Sequence, residues 1–150
     1  MFKFLKKTII IVSLILILGL ITSCHYGNSE ISASDNNFIV AVKNNCDMEI
    51  YGIHYEYYIA QKPIGGGSVE IANGSPYKKG ELMSCEFLVE WFPENADLSL
   101  FEIEIFVLLG NDREQFVGEV VSINAEYGNV YHLSLTGDSV NGININRTGR

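Results

Sequence analysis

The stretch Glu49-Ile50-Tyr51-Gly52-Ile53-His54-Tyr55-Glu56-Tyr57-Tyr58-Ile59 decides the fold. Tyr51, Ile53, Tyr55, Tyr57 and Ile59 recur at every second position, with Gly52, His54, Glu56 and Tyr58 between them. Side chains of a strand alternate between its faces, so this period assigns the first set to a core and the second to solvent. Aromatic and β-branched residues fit such a pleated, half-buried surface.

The same alternation extends in both directions. Upstream, Phe38 to Lys43 forms a short strand that ends at the turn Asn44-Asn45. Downstream, Pro63 and Gly65-Gly66-Gly67 punctuate the chain before a strand from Val69 to Ala72, and Asn73-Gly74-Ser75-Pro76 turns it again. Leu82 to Phe92 gathers Met83, Cys85, Phe87, Val89 and Trp91 inward, opposite Ser84, Glu86 and Glu90. Leu98 to Leu109 gathers Phe101, Ile103, Ile105, Val107 and Leu109 against Glu102 and Glu104. Asn111-Asp112 leads into Gln115 to Ile123, and Tyr127-Gly128-Asn129 into Val130 to Thr136. Ile143 to Ile145 completes the set as an edge strand. About seven to eight short strands joined by Gly, Asn and Pro turns predict an all-β fold. The expected architecture over residues 37–150 is an antiparallel β-sandwich, with a small closed β-barrel as the alternative. Tyr131 opens a late strand just after a Gly-Asn turn, which resembles the tyrosine corner of immunoglobulin-like domains. The resemblance covers one turn and one strand, and implies an immunoglobulin-like sandwich.

The amino terminus has a different grammar. Lys3, Lys6 and Lys7 precede an almost unbroken apolar run, Thr8 to Ile21, that ends at Thr22-Ser23-Cys24. A basic start, an apolar middle and a small-residue exit are the parts of an export signal. The run falls short of the about 20 residues that span a bilayer, and the polar residues His25, Asn28 and Ser29 follow at once. Ile21-Thr22-Ser23-Cys24 resembles the lipobox of bacterial membrane lipoproteins. That resemblance implies a signal peptide over residues 1–23, cleavage between Ser23 and Cys24, and a diacylglyceryl group on the Cys24 sulfur. Lipid through Cys24 would then hold the mature chain at a cell membrane, facing outside the cytoplasm. Two acyl chains give stable anchoring where one is marginal. His25 to Asn36 is polar and aperiodic, so residues 24–36 read as the lipidated cysteine and a flexible tether with a reach of about 20 Å.

Excising residues 1–23 removes three lysines and no acids, which takes the net charge from −8 to −11. So acidic a surface repels phosphates, and nucleic acid is not an expected partner. Beyond Cys24 the cysteines are Cys46 and Cys85. An oxidising compartment permits a bridge between them, worth about 4 kcal/mol in the chain-entropy view. Burial as two free thiols is the other reading, since Cys46 falls in a turn and Cys85 in mid-strand.

Catalytic motifs are sparse. His54 and His132 occupy the solvent faces of their strands, and a metal bound by both with Glu56 requires those strands to be neighbours. No His-x-His, Cys-x-x-Cys or His-Glu-x-x-His spacing supports it, and no metal or cofactor is expected. There is no Gly-x-Ser-x-Gly, and the triple glycine lacks the following Lys-Ser or Lys-Thr of a phosphate loop. It is expected instead to allow a tight or bulged connection. Glu102 with Glu104, and Glu86 with Glu90, form strand-face acid pairs whose ordinary role is a solvated face. Asp112 with Glu114, and Asp138 with Asn141, offer oxygen ligands that turn chemistry also explains. Tyr58 is the one tyrosine of its strand left on the surface. The expectation is a non-enzymatic envelope module that binds a protein or glycan. A structural or accessory subunit of an envelope complex, and a small inhibitor of an envelope hydrolase, are the alternatives.

Overall fold

The computed structural model describes residues 31–110, 113–117, 120–139 and 141–149. The expected signal peptide, Ser23–Cys24 cleavage site, lipidation site, start of the tether and Asn111-Asp112 turn lie outside the described residues. Residues from Ile31 onward belong to one compact unit.

Nine strands are described: β1 (Asn37–Cys46), β2 (Gly52–Ile59), β3 (Lys62–Glu70), β4 (Leu82–Leu88), β5 (Phe101–Leu109), β6 (Arg113–Phe116), β7 (Val121–Ile123), β8 (Val130–Asp138) and β9 (Gly142–Gly149). They form two sheets, one ordered β4-β1-β8-β9 and the other β3-β2-β5-β6, with β7 also paired to β5. Among the described residues neither sheet closes on itself, so the fold is a β-sandwich and not a barrel. All pairings are antiparallel except β1 with β8, where Ile39 to Cys46 run alongside Val130 to Gly137.

The core is aromatic at one end. Phe38 stacks on Phe87 with centroids 4.9 Å apart and meets Phe101 of the facing sheet edge-on at 5.0 Å. Tyr57 reaches Phe87 at 5.1 Å. Each such pair adds about 0.5–1.5 kcal/mol beyond the area it buries. Tyr131 is wholly buried, its hydroxyl donating to the Asn124 carbonyl at 3.1 Å and accepting from the Glu126 N–H at 2.9 Å. That is the hydrogen-bonded corner the sequence pattern implied.

Several expectations change in the structure: Leu98–Leu100 is a 3-10 turn ahead of β5, the strand expected over Val69 to Ala72 is the tail of β3 and ends at Glu70, and four further changes follow. β1 does not stop at Lys43: Asn44 stays in the strand opposite Leu135 and is buried. Its Nδ2 donates to the Tyr77 carbonyl at 3.0 Å and its Oδ1 accepts from the Cys46 N–H at 3.1 Å, so a turn-forming residue is satisfied inside a strand. Second, β4 ends at Leu88, opposite the first residue of β1, and a 3-10 turn follows over Val89–Trp91. The turn breaks the period, leaving Trp91 45% exposed and placing Phe92 in the core. Third, the span from Gln115 to Ile123 pairs with β5 as two strands, β6 and β7. Fourth, the triple glycine is no connection: it lies inside β3.

Candidate functional site

β2 delivers its two tyrosine sets to opposite destinations. Ile53, Tyr55 and Tyr57 are buried, whereas Glu56 is exposed and His54 and Tyr58 are partly so. The triple glycine explains the inward set. Gly65 pairs with Tyr57 and Gly67 with Tyr55, and a Cβ on either glycine would stand 2.7 Å from the tyrosine hydroxyl and 2.9 Å from the ring carbon bearing it. The rings therefore lie across β3, and a side chain there would displace them. Burial pushes the Tyr55 phenol up to about 12.

On the outward face, Glu56 stands directly opposite Glu104 of β5, and Tyr58 opposite Glu102. The Tyr58 hydroxyl lies 2.8 Å from Glu56 Oε2 and 2.8 Å from Glu104 Oε2. A phenol has one hydrogen, so it donates to one carboxylate at a time and bridges the pair by exchange. Hydrogen bonding to Glu56, then to Glu104, raises the Tyr58 phenol well above its ordinary range. Like charges directly opposite across a sheet cost roughly 0.2–1 kcal/mol, and this arrangement holds two together. Its flanks are His54, whose Nδ1 is 3.3 Å from Ser68 Oγ, and Phe106, whose ring is 5.9 Å from the His54 ring.

At the end of this face an open cleft of about 320 Å³ is lined by residues that include Ala60, Gln61, Leu100, Glu102 and Ser122. Ala60 and Gln61 form the two-residue turn between β2 and β3 with φ of 50° and 65°. Hairpins favour that geometry, but in Asn and Gly; for other residues the left-handed region costs about 1–2 kcal/mol each.

The remaining candidates disperse. His54 lies in the β2 sheet and His132 in the β8 sheet, so the rings do not form a shared site. Among the described residues no group of three or more His, Cys, Asp or Glu is placed to hold a metal. Cys46 and Cys85 are buried and free. Cys85 pairs with Val40, and the residues from there to Cys46 cover about 20 Å at about 3.3 Å per residue, far beyond bridging reach. Burial pushes the Cys85 thiol up to about 12 and also raises that of Cys46, which makes both poor nucleophiles. Asn37 Nδ2 donates to Glu86, while Glu90 sits in the 3-10 turn, so these two acids do not share a strand face. Asn141 donates to Asp138 through its backbone N–H at 2.7 Å and its Nδ2 at 2.8 Å, which is turn chemistry. The side chains of Asp112 and Glu114 lie outside the described residues.

Sequence reasoning placed Tyr58, Glu102 and Glu104 outward but missed that Glu56 and Glu104 face each other. It also missed the partnership of tyrosines with glycines. That second signal was hidden, since a plain two-residue hairpin about Ala60-Gln61 would set Tyr57 opposite Ile64 and Tyr55 opposite Gly66, and only the register shift between Tyr57 and Tyr58 brings Gly65 and Gly67 opposite the tyrosines.

No protein-family model matches the chain, and no curated protein matches it in sequence. Solved structures give faint similarities. One is a disulfide-locked mutant of intermedilysin with human CD59, at TM-score 0.38 and 6% identity over 76% of this chain. A second is the membrane-binding domain of pneumolysin, at TM-score 0.34 and 12% identity over 76% of this chain and 97% of that one. A third is a candidate cell-adhesion protein from Bacteroides ovatus, at TM-score 0.38 and 14% identity over 75% of this chain and 43% of that one. The chain spans 24% of the intermedilysin chain it matches. Scores of this size carry no argument about what this chain does.

Proposed function

We propose that the chain is an exported, lipid-anchored cell-envelope protein whose sandwich is a non-enzymatic module for binding a cationic protein partner. The location rests on the basic start, the apolar run and the sequence Ile21-Thr22-Ser23-Cys24. The binding role is carried by one observation: Glu56 and Glu104 are held against each other on an open sheet face by a single phenol. Their repulsion weakens the free protein, and a partner's ammonium or guanidinium group offsets it on contact.

The test has two arms. Labelled palmitate is expected to attach to the chain in its native host, and Cys24→Ala to release it from the membrane. The full chain, used as bait in envelope extracts, is expected to retain a specific partner that the double variant Glu56→Gln/Glu104→Gln loses. Failure of labelling together with unchanged membrane attachment of Cys24→Ala overturns the location, and failure to recover any specific partner overturns the binding role.

A further inference from the structure

The edge of the second sheet shows how such a partner would engage. β3 pairs with β2 on one side and with no strand on the other among the described residues. Edge strands are normally blunted by charge, proline, bulges or shortness, because their free N–H and C=O groups template another strand. β3 has Lys62 and Pro63 at one end and Glu70 at the other, but Ile64 to Val69 is uncharged and proline-free. Its register with β2 shifts only between Tyr57 and Tyr58, at the Pro63 end. Ile64 is the residue that shift leaves over, so the regular template runs over the five residues Gly65 to Val69.

The glycines give that template a second property. Gly66 faces outward beside Glu56, and with no side chain of its own it places nothing between the edge and the Glu56 carboxylate. A strand added to β3 would put the residue opposite Gly66 two strand spacings from Glu56, roughly 10 Å between backbones. A lysine or arginine extended across the glycine covers the remaining distance to the Glu56, Tyr58 and Glu104 cluster. A glycine-rich edge specifies register poorly by itself. One cation above Gly66 specifies it.

We infer that β3 is a docking edge for an extended, basic segment of a partner protein, which adds as an extra antiparallel or parallel strand and places a Lys or Arg over Gly66. Backbone pairing supplies attachment and the acid pair supplies selection, the usual division of labour in strand addition. The inference rests on the binding role proposed above, and its failure can be told apart from the failure of that role.

The experiment uses the full chain in detergent and synthetic decapeptides that alternate Thr or Val with Lys. Fluorescence anisotropy measures binding, and amide hydrogen exchange reads protection at Ile64 to Val69. The lysine peptide is expected to protect that segment. Its affinity should fall about tenfold or more with Glu56→Gln/Glu104→Gln, and with N-methylation of alternate peptide amides on one edge but not on the other. A glutamate counterpart should not bind. Lysine-peptide binding that ignores N-methylation on both edges and leaves Ile64 to Val69 unprotected would mean electrostatic adsorption and overturns strand addition. Absence of lysine-peptide binding, with a partner still recovered from envelope extracts, overturns the inference while the binding role stands.

Discussion

β1 and β2 both run in the interior of their sheets, yet the outer face of β1 is buried as far as Ala41 while that of β2 meets solvent along most of its length. The outward residues of β1 include Ile39, 8% exposed, and Ala41, fully buried between the neighbouring positions Ser84 and His132. Those of β2 are His54, Glu56 and Tyr58, with charged neighbours on β5. The outer face of β1 is thus spent on cohesion, whereas that of β2 carries groups that repel each other. A face that contributes little to stability is free to be shaped by what it meets.

The largest effect that could break this comparison is a charge placed on each strand's outer side. Ala41→Glu buries a carboxylate without a partner and is expected to lose about 3–5 kcal/mol in urea unfolding, or to prevent folding. Equal tolerance at both strands would erase the distinction. Next, Gly67→Ala drives a Cβ into the Tyr55 ring and is expected to cost about 1–3 kcal/mol, measured the same way. Tyr131→Phe keeps the ring but removes the corner's hydrogen bonds, for about 0.5–1.5 kcal/mol per bond. The smallest change carries the opposite sign. Glu104→Gln relieves the pair on β2 and is expected to stabilise the chain by roughly 0.2–1 kcal/mol, and a loss of stability there would sink the claim that this face is held together against repulsion.

A tyrosine titration followed by ultraviolet absorbance sharpens the contrast within β2 itself. Tyr55 is raised by burial and Tyr58 by its carboxylate neighbours. Both folded values exceed the ordinary phenol value of 10.0, so their stabilising contribution is fully present below that pH. It is lost as pH rises through the folded values, in Tyr55's case near 12. Glu56→Gln/Glu104→Gln is expected to return Tyr58 toward its ordinary range and to leave Tyr55 where it is.

What the sequence revealed follows from which forces act locally. Period-two alternation from Gly52 to Ile59 and from Phe101 to Leu109 is a property of the strand alone, and both elements were legible. The corner at Tyr131 was legible from one turn and one residue. Asn44 was not, because its side chain is satisfied by Tyr77, which the chain brings back from far along the sequence. Trp91 and Phe92 exchanged places because β4 runs out of partner at Asn37, a fact about another strand. The pairing of Glu56 with Glu104 needed the register between β2 and β5, which no local pattern states.

The parallel alignment of β1 with β8 has a consequence for the order of assembly. Ile39 lies beside Val130, so the first strand made gains its second flank only when the ninth tenth of the chain is available. Contacts so distant in sequence slow folding, because a long loop must close before they reward it. A chain interrupted before Val130 therefore leaves one flank of β1 open, and the residues from Ile39 to Cys46 wait on the last strands for their parallel partner.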